Sequence, residues 1–297
     1  MHRVARGAKG ASDLAEGEAE RLLRALLQPD ADPMQLAALM IAMRMKGETA
    51  AELAGFARAL RAGIARKGAA DVDIADYAGK RRMPPWYLLA ALEAAQEGVR
   101  VLVHAPMRIE GRITACEAAA WLGLPVARSL DEAEALIARK GLAVLAIDGV
   151  APQLVRFLAL RARLGVRSFA HSCARLLNPL SAPAVVCGVF HAPYLARMRE
   201  AAQRLGVARG LVVQGAEGAP EPWGRARVEG WDGKLSWTPP EASAPEVRYP
   251  RAPMAPEAMR AMFIEASEGR ASPEVASHIA RLRRWFVALA ERGKEDA

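Results

Sequence analysis

The ten residues Tyr77-Ala-Gly-Lys-Arg-Arg-Met-Pro-Pro-Trp86 lie where the chain changes from helical to mixed sequence. A short apolar run from Val72 to Tyr77 precedes the turn with the pattern of a strand, and an apolar run from Trp86 to Ala95 follows with the pattern of a helix. A strand, a tight turn and a helix start commonly hold an anion, because free backbone N–H groups and the helix dipole point there. The stretch therefore predicts an α/β unit with an anion site at its turn.

The turn is strongly cationic, since Gly79 is followed by Lys80, Arg81 and Arg82. A glycine-rich loop lets the backbone close around one small phosphate, whereas three long cationic side chains present their charge outward. Outward charge suits a large polyanion such as a nucleic acid. The alternative is that three basic residues at a helix start are simply solvated.

Composition places the chain among globular proteins. Its 297 residues are 52% apolar and 25% charged, enough for one large domain or two smaller ones around a sizeable core. The sequence has neither a run of about 18 apolar residues nor an apolar N-terminal signal segment. Cys116, Cys173 and Cys187 are far apart and lack metal-ligand spacing. We expect free thiols, no membrane partner and a cytoplasmic location.

Basic residues are distributed unevenly. The net charge is +8 with a pI near 9.8, which favours anionic partners. Between Gly149 and Arg199 there is no aspartate or glutamate, although an ordinary solvated surface mixes both signs. The same segment contains seven arginines: Arg156, Arg161, Arg163, Arg167, Arg175, Arg197 and Arg199.

The first part of the chain predicts a helical subdomain over residues 1–70, after a mobile basic arm of residues 1–12. Apolar residues recur at helical spacing from Asp13 to Leu27. Asp32-Pro33 is a helix start for Met34 to Met45, a segment that is apolar nearly all round and therefore predicted to pack in a core or against a partner. Thr49-Ala-Ala-Glu52 is a capping box for a third helix.

From residue 71 to 297, strands alternate with helices, which predicts an α/β subdomain with a mostly parallel sheet. Residues 151–180 interrupt the alternation and are expected to pack on the helical subdomain. A hairpin is predicted about Asp232-Gly233. The other predicted strands are Val99 to His104, Leu142 to Ile147, Ala184 to Phe190 and Gly210 to Val213; the predicted closing helices are Pro256 to Glu268 and Ser272 to Arg292.

Arg161 falls inside an apolar helical face formed by leucines and Phe157. A buried arginine requires an anion or several hydrogen-bond acceptors. No acidic residue lies nearby in sequence, so either a distant carboxylate or a ligand must supply those acceptors. Both possibilities remain open at this point.

The stretch Met34-Gln-Leu-Ala-Ala-Leu-Met-Ile-Ala-Met-Arg-Met-Lys-Gly-Glu-Thr-Ala-Ala-Glu-Leu-Ala-Gly55 resembles the N-terminal signature of the anthranilate phosphoribosyltransferase family, glycosyltransferase family 3. The resemblance implies a helical subdomain beside an α/β subdomain, dimerisation through the helical part, and cleavage of phosphoribosyl pyrophosphate in the cleft between them. It extends from about Asp13 to beyond Glu221 and includes Leu164-Gly-Val-Arg-Ser168, Leu177-Asn-Pro179, Gly188-Val-Phe190 and Gly206-Val-Ala-Arg209.

The catalytic motifs of that family are altered. Gly79-Lys-Arg-Arg-Met83 stands in place of the diphosphate loop Gly-Thr-Gly-Gly-Asp, and Val103-His-Ala-Pro106 keeps only the histidine of Lys-His-Gly-Asn. Pro220-Glu221 replaces the Asp-Glu pair that helps hold magnesium, and His171-Ser-Cys-Ala-Arg175 replaces Asn-Leu-Leu-Gly-Pro. Arg161 matches the arginine that meets the acceptor substrate. Magnesium–diphosphate chemistry needs oxygen ligands and a loop whose backbone approaches the phosphates closely.

These departures are similar to those of family paralogues that keep the fold and bind nucleic acid. We therefore expect a homodimer, joined through the N-terminal helices, that binds DNA or RNA with little sequence dependence, without catalysis and without a cofactor. The expected nucleic-acid contacts are Lys80, Arg81 and Arg82, followed by Arg156, Arg163, Arg167 and Arg175.

Two other functions remain open from the sequence. One is a glycosyltransferase or phosphoribosyltransferase with an altered substrate, using magnesium and phosphoribosyl pyrophosphate with a differently built metal site. The other is a sensor of a small anionic metabolite. In both, Gly79, His104 and Arg161 are the expected residues of the anion or substrate cleft.

Overall fold

The structure is a computed structural model that describes residues 2–7, 10–223, 226–240 and 249–292. Lys9 of the expected basic arm lies outside the described residues, as does the proline-rich segment 241–248. In the described ranges, no helix is both long enough and apolar enough to cross a bilayer.

Three N-terminal helices form in the predicted segments: α1 (Glu16–Leu26), which begins three residues after the predicted Asp13, α2 (Pro33–Lys46) and α3 (Ala50–Arg61). Asp32 caps α2 by accepting a hydrogen bond from the Met34 N–H at 2.8 Å, and Thr49 with Glu52 forms the predicted capping box of α3. Gly55 allows α1 and α3 to touch, because a Cβ there would lie 2.2 Å from the Glu16 carbonyl oxygen.

The prediction of a mobile basic arm is wrong for the residues around Arg3. Arg3 pairs with Glu18 of α1 at 2.8 Å, and the Val4 side chain is buried in the helical core. These two contacts fix the beginning of the described chain against the first helix.

The sheet runs through the centre of the molecule, with β1 between β2 and β5. Across the described chain it has eight strands in the order β3-β4-β2-β1-β5-β6-β7-β8. Every pairing from β3 to β6 is parallel, whereas β7 and β8 form the predicted antiparallel hairpin. The strands are β1 (Val72–Ala75), β2 (Val101–Ala105), β3 (Val126–Ala127), β4 (Leu142–Ala146), β5 (Ala184–Val189), β6 (Arg209–Gln214), β7 (Val228–Asp232) and β8 (Leu235–Trp237).

Helices cover the sheet, which confirms the predicted fold class. Thr114 and Ser129 cap α5 and α6, as their sequence patterns predicted. The remaining helices are α4 (Trp86–Gln96), α5 (Ala115–Trp121), α6 (Leu130–Lys140), α7 (Pro152–Leu164), α8 (Ala170–Ala174), α9 (Tyr194–Arg204), α10 (Pro256–Ser267) and α11 (Pro273–Glu291).

The segment containing α7 and α8 packs against α3. The ring of Phe169 stacks on Phe56 with centroids 4.3 Å apart, and Phe157 of α7 meets Phe169 edge-on at 5.2 Å. This packing places α7 and α8 opposite the carboxyl ends of the parallel strands, where α/β proteins usually bind ligands.

Candidate anion-binding cleft

The cleft lies between the carboxyl ends of the strands and helices α7 and α8. Tyr77 follows β1, Pro106 follows β2 and Phe190 follows β5, and each of these residues lines the cleft. The opposite wall includes Arg161 of α7 and His171 of α8.

Two cavities of similar size adjoin in this cleft. The first, of about 390 Å³, is lined by residues that include Arg44, Glu48, Arg167, Arg175, Phe190 and Tyr194. The second, of about 370 Å³, includes Tyr77, Pro106, Arg108, Glu110 and Asp148. Arg161 and His171 line both cavities and therefore lie at the boundary between them.

The first cavity has an excess of positive charge, because four arginines and one carboxylate residue, Glu48, line it. Among the residues that the structure describes, Arg161, Arg167 and Arg175 form no ion pair with a carboxylate. Burial, aided by the charges of Arg175 and Arg161, lowers the pKa of Arg167 to about 10. The sequence left a distant carboxylate or a ligand as the partner of Arg161; Arg161 is only half-buried, and among the described residues no carboxylate pairs with it.

His171 faces these arginines as a neutral ring. Burial lowers its pKa to about 3, aided by the charges of Arg175 and Arg167. Its Nδ1 atom and the Nε atom of Arg175 are buried and have no hydrogen-bond partner among the described residues. Buried polar atoms are normally paired, so these two are exceptions within the wall of the first cavity.

Arg175 was predicted to contact nucleic-acid phosphates, but its placement excludes a surface contact. Only 7% of the residue is exposed, and its guanidinium donates hydrogen bonds to the carbonyl oxygens of His171 and Gly218. These two bonds hold the guanidinium in the wall of the first cavity. Arg167 is half-buried in the same wall, so it too belongs to the cleft and not to an outer surface.

The outward orientation predicted for Lys80 is wrong. The side chain is fully buried, and its ammonium pairs with Glu221, which is also fully buried. Glu221 in addition accepts a hydrogen bond from the Tyr87 N–H at 3.0 Å. A buried lysine is stable only when it is paired, and the carboxylate of Glu221 provides that pairing.

The other predicted cations lie outside the walls of both cavities. Arg81 is exposed and Arg82 half-buried, and the backbone N–H groups of both donate to Glu217 at 3.1 and 3.3 Å. Arg156 and Arg163 are exposed on α7 and line neither cavity.

Gly79 and His104 are also absent from the walls of both cavities, contrary to prediction. His104 is fully buried, with one ring nitrogen 2.8 Å from the Tyr77 hydroxyl and the other 3.0 Å from Asp73. A Cβ on Gly79 would lie 2.9 Å from the Cβ of Arg112, so no space for a ligand remains beside it. Both residues are structural.

Sequence reasoning missed Glu217, the central acid of this region. Burial alone would raise the pKa of its carboxyl, but hydrogen bonds from the Tyr249 hydroxyl and the Arg81 N–H hold it below its usual value. Arg112 adds a charged contact at 3.3 Å. The only local signal was the pair of flanking glycines, Gly215 and Gly218. We refer to Lys80, Arg112, Glu217, Glu221 and Tyr249 together as the Lys80 corner.

The Lys80 corner does not fit a magnesium ion. One oxygen of Glu221 pairs with the Lys80 ammonium and the other accepts a backbone N–H, so a cation at this carboxylate would have to displace the ammonium or lie beside its positive charge. Pro220 beside it offers no side-chain oxygen. Over the described ranges, no group of three or more His, Cys, Asp and Glu side chains is arranged to hold a metal ion.

Comparison with known proteins identifies the family. Residues 2–63 match the model of the glycosyl transferase family, helical bundle domain. The crystal structure of anthranilate phosphoribosyltransferase from Thermus thermophilus superposes with a TM-score of 0.76 and 31% identity, covering 95% of this chain and 91% of that one. This chain belongs to the anthranilate phosphoribosyltransferase family.

Curated members of the anthranilate phosphoribosyltransferase family align over part of their length. The enzyme of Thermus thermophilus is 35% identical over 213 residues, which is 70% of this chain and 64% of that protein. The enzyme of Rubrobacter xylanophilus is 31% identical over 74% of this chain and 66% of that protein. The yeast enzyme solved with phosphoribosyl pyrophosphate and magnesium has a TM-score of 0.68 but 15% identity, and so supports the fold alone.

These relatives overturn the predicted function. The expectation of a non-catalytic nucleic-acid-binding protein is wrong, because the relatives reported above are named as a catalytic enzyme and none as a nucleic-acid-binding paralogue. The burial of Lys80 removes the main residue on which that expectation depended. The expectation of no cofactor also lacks support from the comparisons, since the yeast neighbour was solved with phosphoribosyl pyrophosphate and magnesium.

Proposed function

We propose that this chain is a glycosyltransferase of the phosphoribosyltransferase type that acts on a small anionic substrate different from that of its named relatives. The observation that carries the proposal is the convergence of Arg161, Arg167 and Arg175 on the first cavity. Guanidinium groups bind phosphate and carboxylate through paired N–H donors, and burial strengthens such contacts.

The paired cavities suit a reaction between two molecules. Arg161 lies at their boundary, so a group transferred from one cavity to the other would pass beside its guanidinium. The bond from the anomeric carbon to the leaving oxygen breaks with its electron pair on that oxygen, while a lone pair of the acceptor forms the new bond and the acceptor proton leaves to solvent. Arginines around the leaving oxygen stabilise the charge that develops there.

The first cavity also suits a planar substrate. Phe190 is 57% exposed and meets His191 edge-on with centroids 5.1 Å apart. An exposed aromatic face beside arginines fits a ring that carries an anionic group. Lys80 forms an ion pair with Glu221, so the proposed reaction does not use a magnesium ion at this carboxylate.

Binding is tested first, by calorimetric titration with inorganic phosphate. Replacing Arg161 by alanine should weaken phosphate binding by about 10- to 100-fold, the usual value of one charged hydrogen bond. The control is Arg163→Ala, two residues along the same helix and exposed, which should bind like wild type. Equal affinity of the Arg161→Ala and wild-type proteins would refute the assignment of the cleft.

Turnover is tested with phosphoribosyl pyrophosphate and ribose 1-phosphate as donors, each with a panel of carboxylated and nitrogen-containing aromatic acceptors. Release of pyrophosphate or phosphate should require an acceptor and should be lost in Arg161→Ala. Phosphate binding without turnover of either donor would contradict the transferase proposal and make the chain a sensor of anionic metabolites.

A further inference from the structure

The Lys80 corner contains both an anion and a cation that belong to the chain itself. Lys80 lies in the turn between β1 and α4, where free N–H groups would be available to a phosphate. In this chain those groups already have a partner, and so does the nearby carboxylate of Glu221.

Glu217 supplies the anion. One oxygen of its carboxylate accepts hydrogen bonds from the N–H groups of Arg81 at 3.1 Å and Arg82 at 3.3 Å, and from the Tyr249 hydroxyl at 2.5 Å. The other oxygen accepts one from Arg112 at 3.3 Å. Two adjacent backbone donors, a hydroxyl and a guanidinium are the set that would bind a phosphate oxygen.

The backbone of Glu217 shows that this position is held by its contacts. Its φ is +61°, in the left-handed region that residues other than glycine and asparagine seldom adopt. Such a conformation persists when the surroundings hold it, and it concentrates at ligand sites. Here the carboxylate contacts hold it.

Lys80 supplies the cation. Its ammonium touches one oxygen of Glu221 and lies 5.3 Å from the centre of the Tyr249 ring, and neither Lys80 nor Glu221 is exposed to solvent. A divalent ion at Glu221 would either displace the ammonium from that oxygen or lie beside its positive charge. The ammonium therefore occupies the position from which a metal ion would meet this carboxylate.

We infer that Glu217 and Lys80 permanently fill the diphosphate and metal positions of this corner, so that neither a divalent cation nor a diphosphate binds there. This inference goes beyond the proposed function, because it holds whichever substrate the arginine cleft takes.

The metal half is tested by electron paramagnetic resonance of Mn²⁺ with the full chain. The wild-type protein should show no saturable Mn²⁺ binding. Lys80→Ala frees the oxygen of Glu221 and should bind Mn²⁺ at least tenfold more tightly than the limit set by the wild-type titration. Lys234→Ala removes an exposed lysine of the hairpin and should behave as wild type. Saturable Mn²⁺ binding by wild type that is lost in Glu221→Gln would overturn the inference, and this result needs no Lys80 variant to fold.

The anion half is tested by calorimetric titration with pyrophosphate in the Arg161→Ala background, which removes the contribution of the cleft. Glu217→Gly frees the two N–H groups and relieves the positive φ, and should raise pyrophosphate affinity at least tenfold. Glu265→Ala removes an exposed glutamate of α10 and should change nothing. If folded Glu217→Gly and Lys80→Ala proteins bind pyrophosphate and Mn²⁺ no better than their parents, the side chains do not fill those positions and the inference is wrong.

Discussion

Replacing Lys80 by methionine gives a direct measure of the buried ion pair. Methionine keeps the length of the side chain but leaves the Glu221 carboxylate, which is fully buried, without a counter-charge. Removing one partner of a buried pair typically destabilises a protein by about 3–5 kcal/mol. At about 2–4 °C per kcal/mol in domains of comparable size, the melting temperature should fall by roughly 6–20 °C.

A double variant separates the pair from its surroundings. In Lys80→Met/Glu221→Gln no charge is buried, and the glutamine oxygen can still accept the Tyr87 N–H that Glu221 accepts at 3.0 Å. We expect the double variant to lie only about 1–2 kcal/mol below wild type, because apolar or neutral replacements of a complete buried pair are well tolerated.

The assay is urea unfolding followed by tryptophan fluorescence, with all four proteins of the cycle extrapolated to water at a common slope. A Lys80→Met protein within about 1 kcal/mol of wild type would refute the reasoning, since an unpaired charge in the interior destabilises a protein by more than that. A double variant less stable than Lys80→Met would refute it equally.

Three further results are expected. Burial holds the pKa of His171 at about 3, below its ordinary 6.5, so the stability of the wild-type protein should be full above pH 6.5 and should fall as the pH drops towards 3. The loss of unfolding free energy should exceed that of His171→Gln by up to about 2–4 kcal/mol. Equal urea midpoints of the two proteins at each pH would contradict this. Met34 and Met45 of α2 are 76% and 81% exposed, so light scattering should give twice the 31.9 kDa chain mass, and Met45→Asp should give the monomer; a monomeric wild type at micromolar concentration would exclude the predicted homodimer. With phosphoribosyl pyrophosphate, magnesium and anthranilate, no phosphoribosylanthranilate should form above background; turnover of even about one per minute would show that the Lys80 corner permits the relatives' reaction.

Local chemistry made much of the fold predictable. Asp32, Thr49, Thr114 and Ser129 cap the helices that their sequence patterns indicated, since a cap depends only on the residues of the first turn. The hairpin about Gly233 was equally local. The parallel sheet followed from alternation of strands and helices.

The site was less predictable because its contacts join distant parts of the chain. Lys80 and Glu221 are 141 positions apart, so nothing near Lys80 in sequence signals a buried partner. Glu217 likewise reaches back to Arg81 and Arg82. Arg161 was recognised because its position on an apolar helical face is awkward without an acceptor, and that signal is local.

The paired charges of the Lys80 corner also restrict how this sequence can change over generations. Lys80 is balanced by Glu221, and Glu217 by Arg112, so a single substitution at any of these positions leaves a poorly compensated charge in the interior. A path back to a glycine-rich, metal-binding loop would therefore pass through unstable intermediates unless two codons changed together. New substrates can be acquired by substitutions in the cleft wall, whereas the metal-binding form of the corner is difficult to regain.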